Sequence, residues 1–149
     1  MEEARDLETR KTDSLAMLQT ENIDVWVATA SAEGAPYLVP VSLAWVDECL
    51  VIAIAASSVT ARNLSESGEA RLGVGPTRDV VMIHATVEKS LDVAADDELW
   101  TAYTAQADWD PRREAGYQFF VLRPSRVQAW REVNEMARRT LMRDGTWLV

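Results

Sequence analysis

The chain has 149 residues, enough for one ordinary domain with a packed core and too few for two comfortable ones. A formal net charge of −9 opposes non-specific binding to nucleic acid, which needs a basic surface to release counterions. The single cysteine, Cys49, excludes an internal disulfide framework, and the single histidine, His84, leaves a Cys/His metal cluster unsupported.

In chain order, the N-terminus MEEARDLETR is charged and lacks the apolar core of a secretory signal. A short amphipathic helix is expected from about Thr12 to Asn22, with Leu15 and Leu18 on one face and Asp13 or Ser14 as its cap. Val25–Ala30 reads as a strand, followed by a turn at Ala32–Ala35 in which Gly34 takes positive φ. Tyr37–Val46 reads as a second strand. Pro40 within it has no N–H to donate, which marks an edge, a bulge or an opening in the ladder. After a turn at Asp47-Glu48, Leu50–Ile54 is an unbroken apolar run of the kind buried on both faces.

Small residues from Ala55 to Ser58 lead into a predicted helix over Val59–Ser67, ended near Gly68. Strands are expected at Ala70–Val74 and Asp79–Glu88, a helix at Ala94–Gln106 broken by Trp109-Asp110-Pro111, and strands at Gln118–Leu122 and Arg126–Trp130 with Pro124 at a corner between them. A final hairpin, Thr140–Met142 and Thr146–Leu148, turns over Asp144-Gly145. No run is long and apolar enough to span a membrane, so a cytoplasmic protein without a membrane partner is expected. Short antiparallel connections imply one mainly β domain over residues 1–149, a closed or nearly closed antiparallel barrel with peripheral helices.

Common catalytic signatures are missing, including a P-loop and HExxH. Gly73-Val74-Gly75 sits inside strand-like sequence and lacks the third glycine of a dinucleotide fingerprint. His84 reads as a satisfied strand histidine and Cys49 as a packed thiol. No residue is assigned as catalytic or as a metal ligand. Charge is unevenly spread: from Pro111 to Val149 there are eight arginines against four acidic residues, which suggests a local anion site. The segment AASSVTARNL, Ala55–Leu64, ends a buried strand and opens a helix whose free amides favour an anion. Ser57, Ser58 and Thr60 add hydroxyls and Arg62 a charge, although an ordinary capped helix with a surface arginine has the same pattern.

The stretch from Val25 to Leu64 resembles the opening of the pyridoxamine 5′-phosphate oxidase-like, FMN-binding split-barrel proteins. The resemblance is carried by Ala28-Thr29, Glu33-Gly34-Ala35-Pro36, Val39-Pro40-Val41, Thr60, Arg62 and Asn63-Leu64. Pro124, Val127 and Trp130 are similar to the family's C-terminal strand pair, and Arg139–Arg143 to its closing R-L-H-D-R. The likeness implies a split β-barrel of Greek-key type. It also implies an isoalloxazine ring against Val39, Pro40, Val41 and Ser42, and a phosphate at Ala55, Ser57, Ser58, Thr60, Ala61, Arg62 and Asn63. Trp130 and one of Arg139 or Arg143 would come from the partner of a homodimer. Two departures stand out: Ala61 occupies the place of a second basic residue, and Leu141 that of the oxidases' histidine. The implied function is an FMN- or deazaflavin-dependent oxidoreductase with a small-molecule substrate. The alternatives are a non-catalytic flavin or haem carrier and a dimeric scaffold with an empty ancestral site.

Overall fold

The computed structural model describes residues 1–149. Helix α1 (Leu7–Leu18) precedes β1 (Asp24–Ala30), β2 (Pro36–Ser42), β3 (Ala44–Val46) and β4 (Cys49–Ala55). Helix α2 (Val59–Ser67) leads to β5 (Glu69–Val74) and β6 (Val80–Asp92), then α3 (Asp97–Ala107). The long strand β7 (Tyr117–Trp130) follows, then a 3-10 helix over Val133–Arg138 and the hairpin β8 (Thr140–Arg143) and β9 (Thr146–Trp147). No helix is long and apolar enough to cross a membrane.

Every strand pair is antiparallel, in the order β2-β1-β5-β6-β7-β4-β3, with β8 on β7 and β9 on β8. The two ends of that path, β2 and β3, are separated in the chain by Leu43 alone. The sheet therefore curls until its ends meet, giving a split antiparallel barrel in which no backbone hydrogen bond joins β2 to β4. The expected single strand Tyr37–Val46 is divided at this point. Leu43 is fully buried and its N–H donates to the Ile23 carbonyl (3.2 Å), which takes it out of either ladder.

Two apolar layers hold the barrel. Leu50, Ile52 and Ile54 of β4 point into the interior with Val25, Val27, Leu72, Ile83 and Leu122, while Val51 and Ala53 on the other face pack beneath α3 with Tyr103 and Phe119. Burial on both faces is what the unbroken apolar run of β4 requires. Helix α2 begins at the Ser58 cap, whose side chain accepts from the Ala61 N–H (3.1 Å), and stops at Gly68 with φ +73°, a left-handed end that suits glycine.

Further boundaries differ from the sequence reading, and α1 ends at Leu18 rather than near Asn22. Helix α1 starts at the Asp6 cap, which accepts from Thr9 N–H at 2.7 Å. Asp13 and Ser14 lie within the helix instead, Ser14 donating back to the Arg10 carbonyl. Helix α3 is capped by Asp96 and so begins three residues late, and β6 runs on to Asp92 because Lys89–Asp92 pair with Val121–Gln118. Pro124 is no corner. β7 is continuous, and the register slips by one residue so that Ala85 faces Pro124 and His84 faces Arg126. The extra residue, Ser125, donates its hydroxyl to the His84 carbonyl (3.1 Å), so the missing proline amide is absorbed as a β-bulge.

Candidate functional site

The unbonded seam between β2 and β4 opens into a cleft of about 320 Å³. Tyr37, Val39, Val41 and Ser42 form one wall; Ala53, Ile54 and Ala55 form the other. Ser58 and Thr60, at the mouth of α2, close one end. The first helical amides, of Val59 and Thr60, have no carbonyl a turn behind them, so the polar end of the cleft carries donors and a partial positive charge. The strand walls are mostly apolar, and the arrangement suits a flat ring with an anionic tail.

Of the residues singled out in the sequence, Val39, Val41, Ser42, Ala55, Ser58 and Thr60 meet around this cleft. Ser57 is exposed in the preceding loop, and Pro40 is on the opposite face of β2, across the ladder from Trp26. Ala61 and Asn63 are buried under α2, where the Asn63 amide donates to Thr29 Oγ1 at 3.1 Å and ties the helix to β1. Arg62 is exposed on α2, outside the cleft lining, with no carboxylate in ion-pair range. Trp130, Arg139 and Arg143 lie elsewhere. The Arg139 guanidinium is 5.6 Å from the Trp130 ring centroid, and both arginines line a separate depression beside β8. Within one chain these three do not reach the seam.

Trp109 and Tyr117, which the sequence reading did not connect with the site, also line the cleft, as does Tyr37. Tyr117 is opposite Ala55 in the β4–β7 register, and its ring meets Trp109 edge-on at 5.8 Å. The Trp109 indole N–H donates to the Tyr103 hydroxyl (3.0 Å), and burial pushes that phenol well above its ordinary pKa. Trp109 and Tyr117 form a rigid base, because each is held by a neighbouring ring. Their only sequence signal is the spacing of aromatics on either side of the Trp109-Asp110-Pro111 break.

The remaining reactive side chains are elsewhere. His84 Nε2 is 3.1 Å from Glu69 Oε2, on the outer surface of the sheet. Cys49 is buried, with a pKa pushed up to about 11 mainly by that burial, so it is a thiol at neutral pH. No group of His, Cys, Asp and Glu side chains is placed to hold a metal ion.

A split antiparallel barrel with a ring-sized cleft at its seam defines the class of protein. The family follows from the sequence: the model for pyridoxamine 5′-phosphate oxidase matches residues 14–131, most of the chain, and the chain belongs to that family. Solved structures agree on the fold. An F420 reductase superposes with TM-score 0.63 at 17% identity, covering 75% of this chain and 93% of its own. The heme storage protein HutZ from Vibrio cholerae gives TM-score 0.61 at 18% identity, covering 81% and 92%. A heme binding protein from Mycobacterium smegmatis gives 0.63 at 18% identity; the match covers 87% of this chain and 55% of that one. No curated protein matches significantly. At such identities the structural likeness carries the fold and not the ligand.

Proposed function

We propose that this chain is an FMN- or deazaflavin-dependent oxidoreductase acting on a small molecule. The observation that carries this reading is the meeting, in one cleft, of the apolar strand β2 with the donor-rich mouth of α2. A bound flavin or deazaflavin would supply the hydride chemistry. Val39 and Val41 would cover the ring and exclude water, and Ser42 would meet its polar edge. Ser58, Thr60 and the first amides of α2 would hold a phosphate, with Arg62 swinging in from the exposed side of the helix. The ionisable side chains lining the cleft are two phenols, Tyr37 and Tyr117, so any proton delivered to substrate there comes from a phenol or from water. A haem in the same cleft would find no histidine, since His84 is on the outer surface, and only the Tyr37 and Tyr117 phenols as axial ligands. It would also leave the donor-rich mouth of α2 without a phosphate. Flavin binding is therefore the reading preferred over haem carriage.

The proposal includes a homodimer. Leu38 (59% exposed) and Trp26 (53% exposed) stand on the outer face of the sheet, and the register sets Pro40, Trp26, Gly73 and Met82 in one apolar row across four strands. A second copy related by a two-fold axis would cover this row and carry its own Trp130, Arg139 and Arg143 toward the seam.

Visible absorbance of the purified protein, followed by fluorescence titration with FMN and with a deazaflavin, tests the reading. Arg62→Ala is expected to weaken binding of the phosphorylated cofactor by about 1.5–3 kcal/mol through loss of charged hydrogen bonds. An unchanged affinity removes Arg62 from the site. A protein that binds neither cofactor returns the fold to a scaffold role. Binding without reduction of any quinone, nitro compound or tetrapyrrole makes it a carrier.

A further inference from the structure

Six arginines have no carboxylate oxygen within 4.0 Å: Arg62, Arg71, Arg126, Arg138, Arg139 and Arg143; every other arginine has one. Four of the six line one depression of about 380 Å³ between β7, the 3-10 helix Val133–Arg138 and β8. No acidic side chain lines it, in a chain whose acidic residues outnumber its basic ones 24 to 15. Gathering four guanidinium groups without a counter-charge costs repulsion that solvent and salt only partly screen.

The backbone of Arg138 and Arg139 and the Arg139 side chain are held in place. The Arg138 carbonyl accepts from the buried Arg10 Nη1 at 2.6 Å, and the Arg139 carbonyl accepts from the Ala129 N–H at 2.9 Å. Arg139 Nη1 in turn donates to the Met136 carbonyl at 3.2 Å, against the Trp130 ring. Gln128 and Thr140, hydrogen-bonded to each other at 3.1 Å, add neutral polar groups to the lining. Arg138, Arg139 and Arg143 all lie beyond the residues matched by the family model, 14–131.

We propose that this depression is a binding site for a small molecule carrying at least two neighbouring anionic groups, a diphosphate or an oligocarboxylate. Forked guanidinium donors match phosphate and carboxylate oxygens two at a time, and one negative charge would leave most of the repulsion uncompensated. The volume suits a small ligand, and the acidic body of the protein disfavours a nucleic-acid backbone. Arg139 and Arg143 are shared with the proposed dimeric flavin site, whereas Arg126 and Arg138 belong to this depression alone. Arg126 and Arg138 carry its test because neither has a part in the proposed flavin site.

Calorimetric titration of the whole protein at low ionic strength uses three probes: pyrophosphate, citrate and orthophosphate. Pyrophosphate or citrate is expected to bind at least about tenfold more tightly than orthophosphate. The double variant Arg126→Gln/Arg138→Gln is expected to lose about 100-fold in that affinity, about tenfold per arginine. Arg62→Gln is expected to change it less than about twofold. Both replaced side chains are exposed, and circular dichroism reports whether the variant is folded. On the unaltered protein, pyrophosphate should also shield Arg126 and Arg138 from phenylglyoxal, read by mass spectrometry. The proposal is overturned if all three probes bind alike or not at all, or if Arg62→Gln rather than the double variant abolishes binding. It is equally overturned if phenylglyoxal labelling ignores pyrophosphate. Loss of FMN binding with pyrophosphate binding intact would sink the flavin reading alone.

Discussion

Two arginine clusters lie on either side of the Val133–Arg138 turn, and they differ in one respect: whether the charge is answered. On one side, Glu135, only 3% exposed, accepts from the N–H, Nε and Nη2 of Arg5 at 2.8–3.0 Å and from the Arg131 N–H at 2.8 Å. Arg5 also pairs with Asp13 (2.9 Å), Arg131 with Asp79 (3.3 Å), and Arg10 lies buried 3.7 Å from Glu135. On the other side, Arg126, Arg138, Arg139 and Arg143 surround an open depression with no acid. A neutralised, buried cluster fixes chain segments to one another. An open cluster of one sign leaves its charge for something that arrives. The first joins residues 130 positions apart in the chain and so anchors the turn that supplies Arg138 to the second.

The largest effect should come from breaking the neutralised cluster. Glu135→Ala leaves Arg5 and Arg10 without their shared carboxylate and is expected to cost about 3–5 kcal/mol, measured by urea denaturation. Acid should act on the same carboxylate. Its hydrogen bonds with Arg5 hold the Glu135 pKa down at about 2, against an ordinary 4.5. A depressed pKa means stability that is full above about pH 4.5 and lost as pH falls toward 2. That shift corresponds to about 3 kcal/mol, absent from Glu135→Gln in a pH series of denaturation curves.

A smaller effect is expected at the rim. Asp79→Asn weakens half-exposed pairs with Arg131 and Arg5 and should cost about 0.5 kcal/mol in the same assay. The contrast is sharpest in the open cluster. Arg138→Gln and Arg143→Gln should leave stability within about 0.5 kcal/mol, displaced upward if at all, because each relieves repulsion. A cost above 1 kcal/mol for either would mean that the open cluster is structural after all. Away from both clusters, Trp26→Glu on the outer apolar row should yield monomers by light scattering with the barrel's far-ultraviolet spectrum retained.

Much of the barrel was legible because its signals are local. The unbroken run Leu50–Ile54, the Ser58 cap with Gly68 at the other end of α2, and the Asp144-Gly145 turn each state their geometry within a few residues. Part of the cleft was legible for the same reason: β2 and the mouth of α2 belong to one stretch of chain. What escaped depends on distant partners. Asp6 rather than Asp13 caps α1, and Asp13 instead meets Arg5, which Glu135 holds from the far end of the chain. Pro124 reads as a corner until the His84 carbonyl opposite is known to have Ser125 for a donor. Trp109 and Tyr117 reach the cleft only because β7 pairs with β4, which no spacing in the sequence announces.

Because β2 and β4 face each other without a rung between them, the seam can open away from its Leu43 tether by disturbing side-chain contacts and leaving the ladders intact. The rest of the barrel is knitted by backbone hydrogen bonds whose spacing cannot change. Compliance is thus concentrated along one line of an otherwise stiff shell, and the thickness of the ring proposed to enter there would be taken up along that line.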